Sequence, residues 1–148
     1  MIDELVKGNR SYRRFHQETP VTMEILKSLV NLARLSASAA NLQPLKYYLS
    51  WEPRKNAAIF SCLAWAGYLK DWPGPAADER PAAYIIILGD TEISKNFGCD
   101  HGIAAQSILL GARSRHRRLG AAPAPGQRDR PLGAERRQRR RSLPRAWR

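Results

Sequence analysis

Between Asn9 and Phe15 the chain reads Asn-Arg-Ser-Tyr-Arg-Arg-Phe. Arg10, Arg13, Arg14 and the hydroxyl of Ser11 are interleaved there with two aromatic rings. Guanidinium groups make charge-assisted, often bidentate hydrogen bonds to phosphate or carboxylate oxygens, and a serine hydroxyl adds a further donor. Such a set fits a phosphate cradle. It also fits a solvated basic loop, and a nucleic-acid contact is a third reading.

A second cluster follows at Ser38-Ala39-Ala40-Asn41-Leu42-Gln43-Pro44. Asn and Gln side chains both donate and accept hydrogen bonds. Held in a rigid turn before a proline, they could read the edge of a planar heterocycle. Alternatively, the turn's Ser and Asn cap nearby backbone. No Gly-x-Gly-x-x-Gly fingerprint and no P-loop occurs. His16, His101 and His116 are too scattered for a metal site, and Asp71, Asp78 and Glu79 read as solvated loop residues. With no protein acid or base indicated, any chemistry falls to a cofactor.

The elements that must position these clusters follow from the apolar pattern. Ile2–Lys7 reads as a short helix. Thr22 is a candidate N-cap for a helix from Met23 to about Leu35, whose Leu26, Leu29, Val30 and Ala33 form one apolar stripe. Lys46–Trp51 reads as a strand. Pro53 opens a helix expected to run through Leu69, with Ile59, Cys62, Leu63 and Ala66 on one face and Cys62 in the core. The unbroken apolar run within Ala82–Leu88 suits a strand buried on both faces. Asp100–Ala112 is a helix whose small residues permit close packing, against another helix or another subunit. The mixture gives an α/β or α+β class.

The charge of the whole chain, +12, suggests a nucleic-acid partner, but it is unevenly placed. Residues 1–112 carry 12 Lys and Arg against 11 Asp and Glu, a net of +1. Residues 113–148 carry 13 Arg, no Lys and 2 acidic residues, a net of +11. Two cysteines, Cys62 and Cys99, make no disulfide framework. Met-Ile-Asp-Glu does not read as a secretion signal and no apolar run has membrane-spanning length, so a cytoplasmic location is expected.

The two polar clusters, in this order, resemble those of the nitroreductase family of FMN-dependent oxidoreductases. Similar stretches are Asn9–Phe15, Ala33–Pro44, Trp65–Trp72, Arg80–Leu88 and Asp100–Ala112, so the likeness extends over residues 1–112. It implies an α+β sandwich, a mainly antiparallel sheet flanked by helices, and a homodimer with FMN at the subunit interface. By the same resemblance Arg10, Ser11 and Arg13 would bind the FMN phosphate and ribityl chain. Ser38, Ala39, Asn41 and Gln43 would approach the flavin, typically from the partner subunit. Many members carry a further arginine where this chain has Asn9. The implied reaction is ping-pong: NADH or NADPH reduces the flavin, which then reduces a nitroaromatic, a quinone or another small-molecule acceptor. Neither nucleic acid nor membrane is an expected partner of such a protein.

After Ala112 the family pattern stops, leaving the expected fold incomplete at its C-terminus. The family continues with a segment resembling Glu-x-Gly-Leu-Gly-Gly-Cys. Here, 25 of the 36 residues 113–148 are Arg, Ala, Pro or Gly, with no Ile, Val, Phe or Tyr. Such a composition buries too little apolar surface to offset chain entropy, so disorder is expected. These residue types have GC-rich codons, as expected of coding DNA read in the wrong frame. Arg113 to Leu119 can be written CGA AGC CGG CAT CGG CGG CT. One nucleotide later this reads Glu-Ala-Gly-Ile-Gly-Gly, close to the missing motif. The alternative is a nucleic-acid or acidic-membrane binding protein acting through the Arg-rich tail.

Overall fold

The computed structural model describes residues 2–67 and 69–118; from residue 119 onward, the Arg-rich segment lies outside them. Helix α1 spans Ile2–Gly8, with Asp3 and Glu4 in its first turn and Lys7 in its last, the order the helix dipole favours. Helix α2 spans Met23–Arg34. Thr22 caps it as expected, its Oγ1 accepting a hydrogen bond from the Ile25 amide at 3.4 Å. Leu26, Leu29 and Ala33 are buried, a stripe that faces helix α4, Asp100–Arg118.

The close approach of these two helices depends on small side chains. Ala104 of α4 is only 2% exposed. A Cβ built on Gly111 would stand 3.1 Å from Leu29 Cδ2 and closer still to Leu32 Cδ1. A hydrogen bond of 2.6 Å between the hydroxyls of Ser36 and Ser107 adds a polar tie at the end of α2. Helix α4 continues past Ala112 to Arg118, where Arg115 Nη2 donates to Ser28 Oγ at 2.6 Å. The helix thus carries across the change in composition.

Strands β1, Leu45–Ser50, and β2, Tyr84–Gly89, form an antiparallel pair with Leu45 opposite Gly89 and Ser50 opposite Tyr84. Helix α3, Pro53–Ser61, begins with proline at its first turn, where the missing N–H costs nothing. Its Asn56 is buried at the joint with the sheet. The Asn56 carbonyl oxygen accepts from Ser50 Oγ at 2.6 Å, and its amide donates to the Ala82 carbonyl at 2.8 Å. The helices and the antiparallel pair make this an α+β fold.

Two expectations need correction. Helix α3 stops at Ser61 instead of Leu69, and Cys62 is exposed. The chain leaves the helix so that Trp65 can turn toward Phe60 and Phe15, at ring separations of 5.6 and 6.3 Å. Trp65 thus serves a tertiary aromatic cluster instead of extending the helical stripe, while Leu63 and Leu69 are exposed. Strand β2 is also not buried on both faces: Ile86 is 36% and Leu88 48% exposed. They stand opposite Tyr48 and Lys46 on one face of the pair. An unbroken apolar run shows that two covering layers would suit the strand. Whether both layers are present depends on residues elsewhere.

Candidate functional site

The arginine stretch leaves α1 and runs in extended form beside the short turn at Ala77–Glu79. The amide of Phe15 donates to the Glu79 carbonyl at 2.9 Å, and that of Gln17 to the Asp78 carbonyl at 3.3 Å. Phe15 is anchored edge-on against Trp65. Tyr12 folds back, its hydroxyl donating to the Gly8 carbonyl at 2.7 Å. The aromatics are therefore the anchors of this stretch, and they set which way the cations face.

The three arginines are not equivalent. Arg14 is committed to Glu79, with Nη1 3.1 Å from Oε1. Glu79, expected in solvated loop, is thus half-buried and structural. Arg13 is half-buried and donates from Nη1 to the Ser11 carbonyl at 3.1 Å. Arg10 and Ser11 are exposed. Arg10, Ser11 and Arg13, the residues expected to meet a phosphate, are consequently the ones not paired with Glu79.

The second cluster is built very differently. Ser38 Oγ donates to Asp100 Oδ2 at 2.6 Å, and the Ala39 amide donates to Asp100 Oδ1 at 3.0 Å. The Ser38 oxygen then accepts from the Gln43 amide at 2.9 Å. Gln43 Nε2 donates to Asn41 Oδ1 at 2.8 Å. Between these ties Ala40, Asn41 and Gln43 have φ of 49°, 56° and 50°. Left-handed backbone costs an L residue roughly 1–2 kcal/mol, so three such residues need a strong local clamp. Pro44 behind them is fully buried, and its carbonyl accepts from the Asp90 amide at 2.7 Å.

Asp100 is only 3% exposed. The Ser38 hydroxyl, then the Ala39 amide, hold its carboxyl below the usual carboxylate range. Sequence reading named the turn but missed this partner. The available signal was an acidic residue opening a helix, where the dipole favours negative charge. Nothing in the sequence indicated which loop it would meet.

The two clusters have different neighbours on α4. Gly8, two residues before Arg10, lies against the guanidinium of Arg113, whereas the turn is tied to Asp100. At 1.5 Å per residue those two positions of α4 are about 20 Å apart. A cavity of about 80 Å³ lies under the turn, bounded by Ala33, Ser38, Gln43, Tyr47, Asp100 and Ala104. A larger cleft of about 320 Å³ opens between residues 17–21, α3 and residues 80–84, and none of the seven expected site residues lines it. Its cation, Arg80, is stacked 4.2 Å over the Phe60 ring, while Glu18 contributes a carboxylate.

Among the described residues, no helix is long and apolar enough to cross a membrane. Residues 6–73 match the model of the nitroreductase family. No match was found among curated proteins. Several solved structures are similar. One, from Parabacteroides distasonis and described as an NADH dehydrogenase/NAD(P)H nitroreductase, has 23% identity over 77% of this chain and 62% of its own, with a TM-score of 0.59. A protein of Clostridium acetobutylicum described as an NADH oxidase has 28% identity over 73% of this chain and 61% of its own, with a TM-score of 0.54. The NADPH:FMN oxidoreductase of Vibrio harveyi, in complex with NAD+, has 21% identity over 77% of this chain and 52% of its own, with a TM-score of 0.58. The chain therefore spans less than two thirds of the length of these relatives. Residues 6–73 are thus similar to the nitroreductase family, and the described residues share the fold of these solved structures.

Proposed function

We propose that this chain works as an FMN-dependent oxidoreductase, taking hydride from NADH or NADPH and passing it to a nitroaromatic, quinone or similar small acceptor. FMN, when bound, supplies the redox chemistry. Arg10, Ser11 and Arg13 hold its phosphate and ribityl chain, a role suited to two guanidinium groups beside a hydroxyl. Ser38, Ala39, Asn41 and Gln43 form a shaped backbone edge with exposed amide side chains that suits the flavin ring.

The observation that carries this reading is that the Ser38–Gln43 turn is tied to Asp100 at the start of α4, whereas Gly8, just before the arginine stretch, lies against Arg113 further along the same helix. A second copy of the chain, brought across an interface, would set the turn of one subunit against the cradle of the other. The exposed Leu32, Leu35 and Leu109 on α2 and α4, and Tyr48, Ile86 and Leu88 on the sheet, offer apolar surface for a homodimer. A cytoplasmic location suits such a protein.

We also propose that the reading frame changes near Ala112, so that residues 113–148 stand in for further packed elements. The gene's nucleotide sequence through codons 108–125 tests this directly. Domains are stable by only about 5–15 kcal/mol, so replacing several packed elements should exceed the margin. The 148-residue chain is expected to bind FMN weakly and to turn over negligibly with NAD(P)H and a quinone. A frame-restored chain should be yellow, active and dimeric by sedimentation. A stable monomer holding stoichiometric FMN would contradict the shared site. A 148-residue chain that binds polyanions with steep salt dependence, together with a frame-restored chain that stays colourless, would favour the nucleic-acid or acidic-membrane alternative.

A further inference from the structure

We infer that Asp100 is a positioning residue whose carboxylate holds the flavin-facing turn in its left-handed conformation, so that this one side chain sets the geometry of the ring contact. The inference rests on the flavin reading for its functional half and on the clamp geometry alone for its structural half.

Both carboxylate oxygens of Asp100 are spent on the turn, one on the Ser38 hydroxyl and one on the Ala39 amide. Because the hydroxyl gives its proton to Asp100, the Ser38 oxygen is left as an acceptor, and the Gln43 amide uses it. The ties therefore form a relay: Asp100 orients Ser38, and Ser38 closes the loop at Gln43. Ala40, Asn41 and Gln43, the strained residues, lie inside the span that this relay closes. None of these three side chains removes the strain as glycine would. Buried Asp100 stands on α4, whose packing against α2 fixes it relative to the turn. His101 is its charged-capable neighbour on the same helix, and Arg34 and Tyr47 bound the cavity beside it.

Different substitutions should cut this relay to different depths. Asp100→Ala removes both acceptors. Asp100→Asn keeps one oxygen for the Ala39 amide and replaces the acceptor facing the Ser38 hydroxyl with a donor. Ser38→Ala keeps Asp100 and the Ala39 contact but opens the link to Gln43. Hydrogen exchange of the Ala39 and Gln43 amides reads the clamp without any flavin, with the Leu29 amide as the measure of global folding. In Asp100→Ala both amides should exchange about tenfold faster or more at unchanged Leu29 protection, as expected for the loss of charged hydrogen bonds. Asp100→Asn should be intermediate at Ala39, and Ser38→Ala should speed Gln43 more than Ala39. If Asp100→Ala does not fold, the other two variants carry the measurement. Exchange at wild-type rates in Asn and Ser38 variants alike overturns the clamp.

Titration of FMN and riboflavin reads the functional half, in the 148-residue chain and in the frame-restored chain. A ring-side defect should weaken both flavins by the same factor and shift the bound flavin's visible band. Faster exchange with unchanged affinity and spectrum overturns the role at the ring. A frame-restored wild type that binds neither flavin overturns the flavin reading and the ring role with it, while the exchange rates still decide the clamp.

Discussion

The arginine stretch and the Ser38–Gln43 turn have similar polar content but are held in place by different physics. In the first, aromatic rings and two backbone hydrogen bonds fix the path, and Arg10 and the hydroxyl-bearing Ser11 remain exposed. In the second, the polar groups are themselves the fastening, and what is offered outward is a strained backbone with two amide side chains. A site made of free charge tolerates movement of a few tenths of an ångström because Coulomb attraction falls slowly with distance. A site made of backbone shape does not, because hydrogen bonds weaken steeply with angle. The first region is therefore suited to capturing a ligand and the second to orienting it.

The largest test strikes the helix pair behind the turn. The turn is carried by Asp100 on the α2–α4 pair, so Leu29→Ala should cost about 2–5 kcal/mol of stability and weaken flavin binding, read by denaturant unfolding and flavin titration. Unchanged flavin binding at lowered stability would mean that the turn is independently supported. Next in size is charge capture. In a frame-restored chain, Arg10→Ala or Arg13→Ala should each remove roughly 1.5–3 kcal/mol of FMN binding, about one to two decades of affinity, and leave riboflavin nearly unaffected. Equal losses for the two flavins would assign these residues to something other than phosphate.

Acid tests the turn in another way. The carboxyl of Asp100 titrates below its unfolded value, so its stabilisation is fully present above the ordinary carboxylate pKa of about 3.9 and is lost as pH falls through the depressed folded value. The Ala39 and Gln43 amides should stay protected at pH 5 and lose protection below the ordinary carboxylate range. Asp90, held down chiefly by Lys46 at 2.6 Å, loses its contribution in the same direction. Exchange at the turn must therefore be compared with exchange in β1 and β2. The smallest effect is expected at Arg14→Ala, which removes a partly exposed ion pair worth at most about 1 kcal/mol and should leave FMN affinity unchanged. A tenfold loss there would show that Arg14 leaves Glu79 to join the cradle.

How much could be read before folding differs between these regions for the same reason. Helix α2 was legible because its cap and its apolar stripe are both local: Thr22 reaches Ile25, and Leu26, Leu29 and Ala33 share a face by helical spacing alone. The antiparallel class and the two polar clusters were legible from residue type, order and family resemblance. The stop at Ser61 was not, because the aromatic contacts that draw Trp65 out of the helical path include Phe15, fifty residues away in the chain. Nor was the exposure of Ile86 and Leu88, since an apolar run records what a strand could bury and not what covers it.

By itself, then, the sequence determined the local elements, the place of the charge and the two donor sets, because these depend on neighbours within a turn or two. Tertiary structure alone decided which arginine is spent on Glu79 and which carboxylate locks the turn. It also decided that the turn meets the start of α4 while Gly8, just before the arginine stretch, meets Arg113. Those choices rest on contacts between residues more than sixty positions apart, such as Ser38 with Asp100 and Arg14 with Glu79, and no local pattern specifies them.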